Sequence, residues 1–214
     1  MIDIADVVVR KPWGREYLCF RNEHVAIWVL HIKAGERTSL HAHPKKSTAL
    51  ILLDGAVYLS FVRGDVRLLG PLEKINIFRG RFHSTHALQD AVLLEAESPD
   101  DKHDLVRLED SYGRVGAPYE GSEAFEQRGD PDEDLWISNE VRQSTPFLFA
   151  GCLFSISPLL LGATESDICV TLCGGLGHGL VPPGEAIDGR SVQRIAAVFP
   201  PLPHSAFLWI RKTK

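Results

Sequence analysis

The chain has 214 residues, 44% of them hydrophobic, and a formal net charge of -5. That length leaves one large domain or two small ones open, and the apolar fraction suffices for a full core. With no basic stripe interleaved with aromatics, the negative balance excludes an electrostatic footprint for nucleic acid or for an anionic membrane surface.

The first residues, "MIDIADVVVRKPWG", are acidic before they are apolar and lack the cationic start and hydrophobic core of a secretory signal. No apolar run reaches the ~18 residues of a membrane span, so a cytoplasmic protein is expected. From Val25 to Glu97 short β-rich runs follow one another: "VAIWVLHI", "TALILLDGAVYLSFV", "DVRLL", "KINIF" and "AVLLEAE". Turn signals at Gly35, Asp54-Gly55, Gly64, Gly70-Pro71 and Gly80 punctuate them, as in an all-β sandwich or barrel. Residues 98–134 are charged and bear Gly and Pro, which reads as a connector with one short helix. From Trp136 the β texture returns in "FLFAGCLFSI", "DICVTLCGGLGHGLV" and "VQRIAAVF".

The two β regions echo each other. Phe78 with His83-Ser84 and Phe199 with His204-Ser205 share one spacing, and "ILLDG" ending at Gly55 matches "VTLCG" ending at Gly174 at nearly the same offset. Two such matches suggest an internal duplication. At that offset Leu160 and Gly162 stand opposite His41 and His43, so the second copy has no histidine pair. The four cysteines, Cys19, Cys152, Cys169 and Cys173, form no CxxC. On one strand Cys169 and Cys173 lie ~13 Å apart, too far to chelate one zinc, and free buried thiols are expected.

Within "GERTSLHAHPKKSTALILLDG" His41 and His43 are two residues apart, so in a strand both rings point to one side, a pincer for a borderline divalent metal. A third ligand must come from another strand, and His83, after the turn "FRGRF", is the candidate. The spacing of Gly35, His41, His43, Thr48 and Gly55 resembles the first motif of the cupin family, with Thr48 where that motif has Glu. "IFRGRFHSTHA" resembles the second cupin motif through Gly80 and His83, with Ala87 in place of its Asn. The resemblance makes His41, His43 and His83 the ligands of one divalent ion (Zn, Fe, Mn or Ni) and leaves a hydroxyl at position 48.

Two further stretches narrow the likeness. "KPWGREYL" is similar to the leading segment of the type-II phosphomannose isomerases, and "DLVRLEDSYGR" to their closing segment. Where that family reads H-R-x-E-H-W, this chain reads Lys45-Lys46-Ser47-Thr48-Ala49-Leu50. An aldose–ketose isomerase needs a base near pH 7 and a group that polarises a carbonyl, and the carboxylate at position 48 is gone. His86 and Thr48 are therefore the candidate catalytic groups, although a straight strand would turn His86 away from His83. Lys11, Tyr58 and Arg79 are the candidate substrate contacts. Asp104, Arg107, Glu109, Asp110, Tyr112 and Arg114 read as a structural clamp on the connector.

The expected architecture is an all-β bicupin, a double-stranded β-helix (jelly-roll) duplicated with a degenerate second barrel. Its units are a metal-bearing barrel over 1–115, a connector over 116–135 and a degenerate cupin-like barrel over 136–214. The expected function is a metal-dependent isomerase or epimerase of sugar phosphates or nucleotide sugars, in activated-sugar or polysaccharide precursor metabolism. Two alternatives stand beside it: a three-histidine iron dioxygenase, whose ligand set leaves positions open for oxygen, and a non-catalytic sugar-binding or regulatory cupin. The expected partners are a phosphorylated or nucleotide-linked sugar and a second copy of the chain in a homodimer, without nucleic acid or membrane.

Overall fold

The computed structural model describes residues 4–128, 134–135, 137, 146–158, 164–177 and 179–213. Among the described residues the strands are, in chain order, β1 (Val7–Lys11), β2 (Gly14–Arg21), β3 (Ala26–Ile32), β4 (Leu40–Ala42), β5 (Ser47–Asp54), β6 (Val57–Phe61), β7 (Val66–Leu69), β8 (Lys74–Ile77), β9 (His83–Ala87), β10 (Ala91–Ser98), β11 (Val106–Glu109), β12 (Phe125–Gln127), β13 (Phe147–Phe149), β14 (Cys152–Ser157), β15 (Ile168–Cys173), β16 (Ala186–Asp188) and β17 (Ala206–Lys212), with one α-helix, α1 (Gly189–Val198), before the last. They form a seven-stranded sheet, β12-β1-β2-β3-β10-β5-β8, a five-stranded sheet, β11-β4-β9-β6-β7, and a second five-stranded sheet, β13-β14-β17-β15-β16. Every pairing between these strands is antiparallel.

The first two sheets face each other around a core whose members alternate along the strands. Leu50 and Leu52 of β5, Leu93 of β10 and Trp28 and Leu30 of β3 point inward to meet Val57, Leu59 and Phe61 of β6. The residues between them, Ala49, Ile51, Leu53, Leu94, Ala96, Ile27 and Val29, point outward and are equally buried. A strand apolar on both faces needs cover on both sides, and the third sheet provides it. Phe154 and Ile156 of β14, Val170 and Leu172 of β15, and Leu208 and Ile210 of β17 pack on that outer face in one continuous core. At the seam the Asn76 side chain of β8 pairs with the backbone of Ala186 in both directions, donating to its carbonyl at 2.9 Å and accepting from its N–H at 3.0 Å. Asn76→Ala would strand both groups, so it is expected to cost about 1–3 kcal/mol of stability in urea unfolding. A loss below a few tenths would mean that the seam is held by the apolar contacts alone.

The C-terminal segment is where a degenerate second barrel is expected. Among the described residues it contributes one sheet, whose far face is covered by α1 through Val192 against Cys169, Phe207 and Trp209. The strand order β13-β14-β17-β15-β16 repeats β2-β3-β10-β5-β8 of the first sheet, strand for strand. One sequence expectation is corrected here: "VQRIAAVF" lies largely in α1, not in a strand. Asp188 caps the helix by accepting from Ser191 N–H at 2.8 Å, and Val192, Ile195 and Ala196 recur at helical spacing on the buried side. The expected connector is also partly ordered, since β12 pairs with β1 at the sheet edge. Leu160, Gly162 and Trp136 lie outside the described residues.

Candidate metal centre and its charged cavity

β4 and β9 are neighbours, and His41 and His83 are direct partners across their ladder. His43 follows His41 by two residues, so all three rings enter the same interior. The ring centroids stand 4.4 Å (His41–His83), 5.0 Å (His41–His43) and 5.6 Å (His43–His83) apart, and one ligand atom from each lies within 4.8 Å of the others.

Each ring is oriented by a backbone carbonyl. The Nδ1–H of His41 donates to Ser39 O at 2.8 Å, that of His43 to Asp104 O at 2.6 Å, and that of His83 to Arg81 O at 3.0 Å. A carbonyl can only accept, so each Nδ1 carries the proton and each Nε2 keeps its lone pair. Nε2 of His43 is buried with no hydrogen-bond partner. Three neutral imidazoles aiming lone pairs at one region fit a borderline divalent cation, which His41, His43 and His83 would hold.

Burial, reinforced by neighbouring positive charge, keeps these rings neutral: His43 is lowered to about 3, His83 to about 4, and His41 well below its usual value. His31, half-buried on the outer side of the first sheet beside Arg15, is lowered to about 4, burial being the larger cause. In the unfolded chain the same groups take up protons below about pH 6.5. Between about pH 6.5 and 4 the unfolded state therefore binds more protons, and the metal-free protein is expected to lose stability as pH falls through that window. Glu95, discussed below, works in the opposite sense but is one group against four. Urea titrations between pH 7.5 and 4 check this; a flat profile would place the rings in water.

The cavity beside the triad has about 500 Å³ of empty space including its mouth, and is lined by His41, His43, Lys11, Glu16, Lys46, Glu95, Glu97, Lys102, Arg107, Arg114 and Tyr119, among others. Lys46 Nζ donates to Glu97 Oε1 at 2.7 Å, and both side chains are 1% exposed. Lys102 Nζ lies 3.2 Å from Glu97, 3.6 Å from Glu95, 3.6 Å from Glu16 and 3.8 Å above the Trp28 ring. Lys11 pairs with Glu16 at 3.3 Å and with Glu120, and Tyr119 donates its hydroxyl to Glu16. Burial opposes the charge on Glu16, yet Lys102 and Lys11 hold its carboxyl down to about 2. Burial and the adjacent Glu97 carboxylate push Glu95 up to about 7. The two acids of β10 thus stand in different protonation regimes.

Of the residues singled out in the sequence, the structure brings His41, His43 and Lys11 to the lining of this cavity, with His83 beside them in the triad. Thr48 also points inward, opposite Glu97 in the β5–β10 ladder, with its hydroxyl buried and without a partner. His86 and Tyr58 are corrected to the outer face: they are direct partners across β6–β9, hydrogen-bonded to each other, while their neighbours Leu59 and Ala87 fill the core. No bulge interrupts β9, so the alternation of the strand turns His86 away. Arg79 is exposed in the turn after β8 and does not line the cavity. The clamp residues divide. Asp110 accepts from Tyr112 N–H and Arg114, and Asp104 accepts the N–H groups of Lys45 and Lys46. Arg107 and Arg114 serve the clamp and also line the cavity.

Sequence reasoning missed Lys46, Glu16, Glu95, Glu97 and Lys102. A signal was present in "AVLLEAES": two acids at alternate positions of a strand otherwise filled with Val, Leu and Ala share the face of Leu93.

No family model matches the chain. Mannose-1-phosphate guanylyltransferase ManC of Salmonella typhimurium is 30% identical over 114 residues, which take 50% of this chain and 23% of that protein. Among solved structures, KdgF from Halomonas sp. has a TM-score of 0.41 at 16% identity, covering 45% of this chain and 87% of its own. An RmlC-like cupin from Shewanella frigidimarina has 0.41 at 14%, covering 44% and 85%, and the capsular polysaccharide assembling protein CapF from Staphylococcus aureus 0.41 at 19%, covering 48% and 34%. No described helix is long and apolar enough to cross a membrane. With two antiparallel sheets closed on one core, a His-x-His pair on β4 and its edge and a third histidine on β9, the N-terminal unit is an all-β jelly-roll barrel, and its motifs resemble those of the sugar cupins.

Proposed function

We propose that the protein is a metal-dependent isomerase or epimerase acting on a phosphorylated or nucleotide-linked sugar. The observation that carries this reading is the convergence of three metal-type histidines beside a cavity that also holds a buried carboxyl raised to about 7. The likeness to ManC over 114 residues agrees with a sugar-related ligand; because the chain spans 23% of that relative's length, its whole activity does not transfer.

Bound at His41, His43 and His83, the ion would polarise a carbonyl and acidify the adjacent C–H. The protein's own groups then do the proton work. Glu95, as a carboxylate, takes the proton from the carbon next to the carbonyl and returns it to the neighbouring carbon, while a hydroxyl proton passes between the two oxygens. A carboxyl with a pKa near the working pH is effective in both directions. Lys46 and Lys102 offset charge beside it, and the apolar walls at Trp13 and Leu30 exclude water. Lys11, Arg107 and Arg114 give the cavity cationic groups for a phosphate. A passive binding module needs no proton-transferring carboxyl of this kind.

Metal-loaded protein incubated with aldose phosphates and nucleotide sugars in heavy water tests the proposal. Nuclear magnetic resonance should show deuterium entering the carbon next to the carbonyl, at a rate rising through about pH 7 and lost in Glu95→Gln. Sugar binding by thermal shift without exchange in any of them would leave a binding module instead.

A further inference from the structure

We propose that Glu97 supplies, from β10, the carboxylate ligand that β5 lacks at Thr48, completing the cation site of His41, His43 and His83. The inference rests on the metal-centre reading above and extends it by one ligand.

Glu97 and Thr48 are direct partners across the β5–β10 ladder, and both point into the barrel. Side chains of such a pair start ~4.5–5.5 Å apart at Cβ, so a glutamate at 97 reaches the space that one at 48 would fill. Like charges directly opposite each other are destabilising, so a carboxylate at 97 favours a small neutral residue at 48. The missing acid and the extra acid then form one exchange.

The unmet valences lie on the same side. His43 Nε2, Glu97 Oε2 and Thr48 Oγ1 are all buried with no hydrogen-bond partner, and ligand atoms of His43, Glu95 and Glu97 lie within 4.8 Å of one another, a group that shares His43 with the triad and does not include His41 or His83. Orphaned polar atoms are costly and rare in folded proteins. Two of these, the imidazole nitrogen and the carboxylate oxygen, can only accept. A cation satisfies both at once, whereas a further protein acceptor satisfies neither. Lys46 and Lys102 both engage the other oxygen, Oε1, at 2.7 and 3.2 Å. They keep the carboxylate charged in the metal-free protein and leave Oε2 turned to the site. Glu95, on the same face, remains the proton-handling group.

Zinc binding by the full chain, measured by competition with a chelator, provides the test. Glu97→Gln, which keeps the shape and a hydrogen bond for Lys46, should weaken zinc binding at least about ten-fold, and adding Thr48→Glu to that variant should recover most of the loss. Zinc loading of the unaltered chain should shift a carboxylate stretch in the infrared, and the shift should vanish in Glu97→Gln. Absence of a carboxylate shift in the unaltered chain overturns the inference, even if the variant fails to fold. Unchanged affinity in Glu97→Gln, or a shift that persists there, does the same while leaving the three-histidine site intact. If the unaltered chain takes up no stoichiometric zinc, the metal-centre reading itself falls, and this inference with it.

Discussion

His41→Ala is expected to abolish stoichiometric binding of a divalent cation while leaving the barrel folded. His41 is the middle member of the triad, with its ring centroid 4.4 Å from that of His83 and 5.0 Å from that of His43. Removing it leaves two imidazoles on different elements. Loss of an outer partner alone costs about 10–100-fold in metal affinity, and loss of a ligand nitrogen should exceed that. The stability cost in the metal-free protein should be small, because a ring held neutral with an unused lone pair contributes mainly packing. His86→Ala is the matched control. It alters the same residue type on the same sheet, but on the face that pairs with Tyr58, and metal binding should not change. A chelator-competition titration on both variants, with urea unfolding alongside, decides. If His41→Ala still bound one equivalent tightly, the three rings would not share an ion.

The contrast between these histidines also shows what the sequence made legible. Two histidines at period two, a turn glycine and a third histidine at the head of another strand specify a convergence, because alternation fixes the face once the strand is fixed. The same rule argued against His86, and the unbroken β9 obeys it. The ion network was harder to see, since it is built across strands that are far apart in sequence: Glu16 on β2, Lys46 just before β5, Glu95 and Glu97 on β10, Lys102 after it. Each of these looks like an ordinary surface charge until the register brings it to a common interior.

The internal echoes separate in the same way. Gly55 (φ +88°) follows β5, and a Cβ there would meet Asp90 O, just before β10, at 2.3 Å; Gly174 (φ +67°) follows β15, and a Cβ there would meet Ser205 Cα, just before β17, at 2.8 Å. Both positions demand glycine for the same two reasons, a left-handed turn and a close approach to the loop entering the central strand. His204-Ser205 occupies the place of Gln89-Asp90 in this correspondence, and α1 stands where β9 does. The glycine echo therefore agrees with the repeated strand order, and the His-Ser echo does not. Helix α1 escaped because five apolar residues in a row, Ile195 to Phe199, imitate a buried strand when the cap at Asp188 is overlooked.

Lys102→Met should be the most destabilising single change in the cavity. The methionine keeps an apolar stem against Trp28 but removes the ammonium that lies within 3.6 Å of three buried carboxylates. Lys46 and Lys11 remain for Glu97 and Glu16, and Glu95 loses its one ion-pair partner at that distance among the described residues. Removing one member of a buried ion group costs about 3–5 kcal/mol. The deficit should depend on pH in a definite direction. In the unaltered protein Lys102 holds Glu16 and Glu97 below their usual values, which contributes stability above the unfolded carboxylate range and is lost as pH falls through the folded values. Without Lys102 those carboxyls must take up protons to stay buried, so the variant gains stability relative to its unfolded chain as pH falls. The gap between the two proteins is therefore widest above pH 7 and narrows toward pH 5. Urea unfolding at pH 5, 7 and 8.5 measures it. A deficit under about 1 kcal/mol, or one that does not change with pH, would mean that solvent already screens these charges and that the cavity is open rather than sealed around a charged core.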